Sequence, residues 1–300
     1  MAHDHGKAET HRGRLAVALG ITSAVVVAQV VGALVTGSLA LLADTVHLLV
    51  DASGLALALF AAHVALRPPT ARRTWGFRRA EVLAALAQAA VLLAVGVFVL
   101  VEAVQRLRTP PDIPGTELVV FGAVGLVGNL AAMAVLMGRR DANLNLRAAF
   151  LEVVNDALGS LAVIVAAVVI ATTGWQYADT VAALAIGALI LPRAVRLLRD
   201  ASAVLLESTP VGLDLDEVRV HLLRVEHVSE IHDVHASLIA TGLPQLSAHV
   251  VVESGCFRDG HAGRILDELQ DCVRDHFGVE HTTFQVEPET HPGHEHPTHA

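Results

Sequence analysis

The chain is expected to fold as a polytopic α-helical membrane protein, with six transmembrane helices followed by a small cytoplasmic α/β domain of αββαβ, ferredoxin-like order. Three observations predict this. Hydrophobic residues make up 53% of the 300 residues and charged residues only 17%, and the mean hydropathy of +0.55 lies well above that of a soluble domain of this length. Apolar runs of about 20 residues, the length that crosses a bilayer, recur through the first two thirds of the sequence. After about residue 207 the composition changes, because acidic residues and most of the 17 histidines collect there, and that shift marks a domain boundary.

The spans are read at about 15–37, 40–66, 82–105, 115–138, 148–172 and 175–198. Lys and Arg gather in the N-terminal tail (Lys7, Arg12, Arg14), the second connection (Arg67, Arg72, Arg73, Arg78, Arg79), the fourth (Arg139, Arg140, Arg147) and after the last span (Arg193, Arg196, Arg199). The opposite side carries only Arg106 and Arg108, so the positive-inside rule puts both termini in the cytoplasm, as an even number of spans also requires. The first run is longer than a signal-peptide core of about 7–15 residues and is taken as a retained span. Beyond it, Asp214–Arg224 has helical spacing, Val228–Ile239 and Gln245–Glu253 alternate like strands, Gly263–Phe277 is helical again, and His281–Glu287 alternates once more. The expected division is a tail over 1–14, a membrane domain over 15–207, a cytoplasmic domain over 208–288 and a His-rich disordered end over 289–300. Cys256 and Cys272 have no C-x-x-C spacing, which supports neither a disulfide framework nor a thiolate zinc finger and reads as thiols in a reducing compartment.

Two ionisable pairs interrupt the apolar part, His47-x-x-x-Asp51 and Glu152-x-x-x-Asp156. Residues four apart share one helix face, so the second and fifth spans would each present two metal-type ligands, and together they could close a four-ligand site. A charge at membrane depth costs about 2.5–3.5 kcal/mol even on mild scales, which makes such residues functional candidates. The bland alternative, a buried hydrogen-bond network between helices, would have to explain two similar pairs by accident. Asp44, one turn before His47, reads as a helix-end or access-path group rather than a ligand, and His63 as interfacial.

The strings Leu42-Ala43-Asp44-x-x-His47-x-x-x-Asp51, Trp75-Gly76-Phe77-x-Arg79-Ala80-Glu81, Asp156-Ala157-Leu158-Gly159-Ser160 and Ile231-His232-Asp233-x-His235 occur in that order. With six spans and an αββαβ tail, the chain resembles the cation diffusion facilitator family of divalent-metal transporters over about residues 14–288. The resemblance implies a homodimeric zinc/proton antiporter in the cell membrane, with no enzymatic activity and no resident cofactor. It places the transport site between the second and fifth spans, at His47, Asp51, Glu152 and Asp156. It further implies that the cytoplasmic domain dimerises and binds regulatory zinc, with ligands at His232 and His249 and near the final strand, where His281 and Glu287 stand.

The residue chemistry agrees. Four protein ligands leave no open position for a catalytic water, so such a site carries or stores metal. Three carboxylates can offset the charge of a divalent cation, and a protonated imidazole at His47 cannot ligate, so proton binding would expel metal. Zinc members of the family usually carry His or Asp where this chain has Glu152, and the harder oxygen broadens tolerance toward Mn²⁺, Fe²⁺ or Co²⁺. Zn²⁺ is the expected substrate, with Mn²⁺, Fe²⁺, Co²⁺ or Cd²⁺ as the alternative. A membrane-anchored metal sensor is the second alternative, though it would not need acidic pairs at mid-membrane. The remaining partners are protons and the lipid bilayer, with no nucleic acid. A membrane metalloenzyme is opposed by the lack of an H-E-x-x-H helix.

Overall fold

The computed structural model describes residues 5–137, 144–258 and 260–291. Six long helices come first: α1 His5–Thr36, α2 Leu39–Ala65, α3 Ala80–Arg106, α4 Gly115–Met137, α5 Leu144–Thr173 and α6 Tyr177–Leu205. Among the described residues, four stretches are long and apolar enough to cross a bilayer: Ala80–Arg106, Gly115–Met137, Phe150–Thr173 and Tyr177–Leu205; α1 adds a shorter apolar stretch, Gly20–Thr36. Together with the polar tail domain described below, this is the architecture the composition predicts.

Contacts divide the chain into two compact units, residues 1–59 with 84–198, and residues 60–83 with 199–300. The division differs from the composition break near residue 207, because the Arg-rich connection between α2 and α3 belongs with the tail. Within that second unit Arg79 pairs with Glu207 at 2.7 Å, and the Glu81 carboxylate accepts from the Thr241 backbone N–H at 2.9 Å. Arg73 also stacks its guanidinium 4.3 Å from the Phe77 ring centroid.

In the first unit α4 packs against both α1 and α5. Small residues make that possible, as in membrane helix pairs generally, where backbone approach replaces the missing hydrophobic drive. A Cβ added at Gly125 would crowd Gln29 Nε2 and fall 2.9 Å from Ser160 Oγ, so glycine lets α1, α4 and α5 meet closely with both side chains where they stand. The α1–α2 junction is equally tight: Gly37 takes φ +67°, a left-handed value that glycine adopts without strain, and its N–H closes on the Ala33 carbonyl at 3.0 Å.

The tail domain runs α7 Leu215–Leu222, β1 Val228–Ala240, β2 Leu243–Val252, a 3₁₀ turn Ser254–Phe257, α8 His261–Phe277 and β3 His281–Pro288. Asp214 caps α7 by accepting from the N–H groups of Asp216 and Glu217. The sheet order is β1-β2-β3, with β1 antiparallel and β3 parallel to the central strand. Alternation sends Leu246, Ala248, Val250, Val252 and Phe284 to the face covered by Val218, Leu222, Ile265, Leu269 and Val273 of the helices. His249 and Glu287 therefore face the other way. The histidines at 294, 296 and 299 and the expected disordered end beyond 291 lie outside the described residues, as do the side chains of His3, His5 and His11.

Candidate metal sites

One turn of α2 and one of α5 meet inside the first unit. His47 and Asp51 project from the same face of α2, with His47 Nε2 3.6 Å from Asp51 Oδ2, and Asp156 of α5 brings Oδ1 to 3.9 Å from the same nitrogen. The ligand atoms of the three residues lie within 4.8 Å of one another. In a tetrahedral zinc site with bonds of about 2.0–2.1 Å, neighbouring ligand atoms stand roughly 3.3 Å apart, so only small side-chain rotations separate this arrangement from one that clasps an ion. The polar atoms are also short of partners: His47 Nδ1, both Asp51 oxygens and Asp156 Oδ1 are buried without a hydrogen bond. Buried carboxylates short of hydrogen bonds cost several kcal/mol unless a cation or proton answers them, so the donor set suits a cation.

Glu152, the fourth expected ligand, is not brought into this group. Its carboxylate pairs with the Arg193 guanidinium from α6, and Arg193 Nη1 also lies 3.6 Å from Asp51 Oδ2. The physical reason is that Arg193, one residue after Pro192 and still inside the helix, offers Glu152 a fixed, forked cation. The Lys/Arg pattern suggested only a membrane-orienting role for this residue. Asp44 is held by one oxygen: its Oδ2 accepts from Gln29 Nε2 at 2.9 Å and Ser160 Oγ at 3.0 Å, Asn129 Nδ2 donates to Ser160 at 3.2 Å, and its Oδ1 is buried without a hydrogen bond. A Cβ at Gly159 would meet Asp44 Oδ1 at 2.2 Å, so the glycine is what admits the carboxylate.

A second cluster forms on the helix-free face of the tail sheet. His232 of β1 and His249 of β2 are register partners, their ring centroids 5.2 Å apart. Glu287 of β3 reaches both, Oε1 lying 3.2 Å from His232 Nε2 and 3.6 Å from His249 Nδ1. These three residues also hold their ligand atoms within 4.8 Å. Glu287 is 2% exposed and neither of its oxygens accepts a hydrogen bond, so the donor set fits a cation. Asp233, at a left-handed φ of +48° where the β1–β2 register shifts, adds Oδ2 at 3.6 Å from His249 Nε2, and His291 brings Nε2 to 3.5 Å from Glu287 Oε2.

His281, also expected near these ligands, is not brought into the cluster. It shares strand parity with Glu287, but six residues along a strand is roughly 20 Å. The β2–β3 register pairs His281 with Gln245, four residues away from His249, and its ring packs edge-on against Trp75, centroids 4.7 Å apart. Parity fixes a face and not a position along it.

Comparison with known sequences finds two matching family models. The family model described as cation efflux transmembrane domain matches residues 15–206, and the one described as cation efflux protein, cytoplasmic domain, matches residues 210–289. The chain is 38% identical over 285 residues to the metal cation efflux system protein CzcD of Cupriavidus metallidurans, covering 95% of this chain and 89% of the relative. It is 37% identical over 295 residues to the zinc transporter ZitB of Escherichia coli, covering 96% and 93%. It is 32% identical over 293 residues to the cadmium, cobalt and zinc/H(+)-K(+) antiporter of Bacillus subtilis, covering 97% and 93%. A solved metal-bound C-terminal domain of the CzcD transporter is 31% identical, spans 25% of this chain and 99% of its own, and superposes with a TM-score of 0.23. The chain belongs to the cation diffusion facilitator family, whose members carry divalent metal cations out across a membrane.

Proposed function

We propose that this protein exports Zn²⁺ from the cytoplasm in exchange for protons, with His47, Asp51 and Asp156 holding the ion and Glu152 joining them when Arg193 withdraws. The observation that carries the reading is the buried, hydrogen-bond-poor group of one imidazole and two carboxylates contributed by two membrane helices. Nitrogen and oxygen donors at this spacing suit Zn²⁺ and, with a third carboxylate, tolerate Cd²⁺, Co²⁺, Mn²⁺ or Fe²⁺. The relatives, a zinc transporter and a cadmium, cobalt and zinc/H(+)-K(+) antiporter by name, favour the same substrates and a proton as counter-ion. Exchange follows from competition: an imidazolium at His47 cannot ligate, and protons on the carboxylates remove the charge that holds the cation. The membrane domain is proposed to lie with both termini in the cytoplasm, and the tail to pair with a second copy and bind zinc through His232, His249 and Glu287.

Purified protein in liposomes tests this. An imposed pH gradient should drive Zn²⁺ flux, and Asp51→Ala or Asp156→Ala, each removing a charge-neutralising ligand, should lower it at least roughly a hundredfold while leaving the protein folded, since a lost charged partner at a buried site costs about 3–5 kcal/mol. Flux at the normal rate in either variant, or flux that ignores the pH gradient, would sink the assignment.

A further inference from the structure

The tail domain carries a third group of metal-type side chains, at the end of the sheet where β1 begins and β2 stops. We propose that His227, Glu253 and Cys256 form a separate thiolate-containing site for a borderline-soft divalent cation such as Zn²⁺, Cd²⁺ or Co²⁺. Topology assembles it. The antiparallel pairing of Val228 with Val252 sets His227 and Glu253, the residues just outside each strand, opposite one another. The Glu253 N–H then bonds the His227 carbonyl at 3.2 Å, and His227 Nδ1 lies 3.1 Å from Glu253 Oε2. The 3₁₀ turn folds the chain back, with the Cys256 N–H bonding the Glu253 carbonyl at 3.0 Å, and the ligand atoms of the three residues fall within 4.8 Å of one another.

The burial gradient suits a bound ion. Cys256 is 3% exposed and packs with the domain core, whereas Glu253 is exposed, so the sulfur forms a floor and the carboxylate a rim open to solvent. His227 adopts φ +67°, a left-handed conformation unfavourable for a non-glycine residue, and its ring lies against Glu253. His261, the first residue of α8, brings a further imidazole alongside, ring centroids 5.9 Å from His227. A nitrogen, oxygen and sulfur set of this kind selects zinc-like ions over Mg²⁺ or Ca²⁺. It differs in kind from the other two groups, which offer no sulfur. A metal here would tie the start of β1, the end of β2 and the turn leading to α8 into one knot, a link that sheet hydrogen bonds alone do not make. The site does not depend on the transport reading.

The sulfur supplies the test. Reduced full-length protein in detergent, titrated with Co²⁺, should develop a near-ultraviolet cobalt–thiolate charge-transfer band, which the nitrogen and oxygen ligands of the other groups cannot produce. The band should vanish in Cys256→Ser and persist in Cys272→Ser, and added Zn²⁺ should bleach it. Burial and the neighbouring Asp275 hold the Cys272 thiol above its ordinary pKa, which makes it a poor competing thiolate. His227→Gln and Glu253→Gln alter side chains at the rim, leave the core intact, and should each weaken Co²⁺ binding at this band about tenfold or more, so the outcome does not rest on the buried cysteine folding normally as serine. No band, a band that survives Cys256→Ser or disappears with Cys272→Ser, or a titration unchanged in both rim variants would overturn the site.

Discussion

Arg193 is the residue whose position most changes how the membrane site must work. It pairs with Glu152 and approaches Asp51, so a protein cation stands where the charge of the proposed substrate would be needed. For Glu152 to ligate, that charge-assisted pair has to break, at a cost of about 1.5–3 kcal/mol. Arg193→Gln removes the competitor. Zn²⁺ binding to the detergent-solubilised variant, measured by calorimetry at neutral pH, should therefore tighten by roughly 10- to 100-fold, and turnover at saturating metal should fall because release is slower. The loss of affinity on acidification should persist, since His47, Asp51 and Asp156 are untouched and protons still compete with the ion for them. Unchanged affinity would show that Arg193 does not compete with the ion. Spacing of four placed His47 with Asp51 on one face of α2 and Glu152 with Asp156 on one face of α5, which was legible from sequence; which of them come within ligand distance of one another was not. The Arg193 pair was not, because it depends on which side of α6 meets α5, and nothing in an apolar helix with an Arg near one end declares that.

At the scale of elements, the helix that carries His47 and Asp51 is pinned at its start by a neighbour. Asp179, in the first turn of α6 and fully buried, accepts from the Leu39 N–H at 2.7 Å, the Ala40 N–H at 3.2 Å and the Ser38 hydroxyl. Ser38 Oγ in turn accepts from the Leu41 N–H at 3.0 Å, and Arg106 ties the corner together, bonding the Gly37 carbonyl at 2.8 Å and approaching Asp179 at 3.8 Å. A carboxylate at the positive ends of two helices is well placed, and each of the N–H groups it takes would be an orphan without it. Asp179→Ala strands two buried amides, each costing about 1–3 kcal/mol when unpaired, against about 1 kcal/mol in all for Ser38→Ala, whereas Arg106 keeps Glu102 and the Gly37 carbonyl. Thermal unfolding in detergent measures both. Equal melting temperatures for wild type and Asp179→Ala would dismiss the cap. This element-to-element link was invisible beforehand because its partners are 140 residues apart. The strands, by contrast, announced themselves by alternation, and only their register, which separates His281 from Glu287, had to come from the fold.

On the scale of the whole molecule, the tail domain carries everything it needs to stand alone. Its core, from Val218 to Phe284, is drawn from its own strands and helices, with Val250, Val252, Leu269 and Val273 fully buried, so a fragment spanning about 208–291 should fold in isolation. It is nevertheless small, and a domain of this size gains stability from association or metal. It is also acidic within a chain of net charge −9, so two copies repel unless cations intervene. Zn²⁺ at His232, His249 and Glu287 places positive charge on the sheet face that the helices leave open, and would relieve the cost of burying Glu287 without a hydrogen bond. The fragment should bind Zn²⁺ and become more compact or more stably dimeric as it does, seen by small-angle scattering and sedimentation. His232→Ala or His249→Ala should weaken that response by at least roughly tenfold, whereas His281→Ala should leave it intact, because that ring sits four residues along the sheet against Trp75. A fragment that binds zinc with no change in mass or shape would separate metal binding from assembly, and a His281→Ala variant that loses the response would place the site at the wrong end of the final strand.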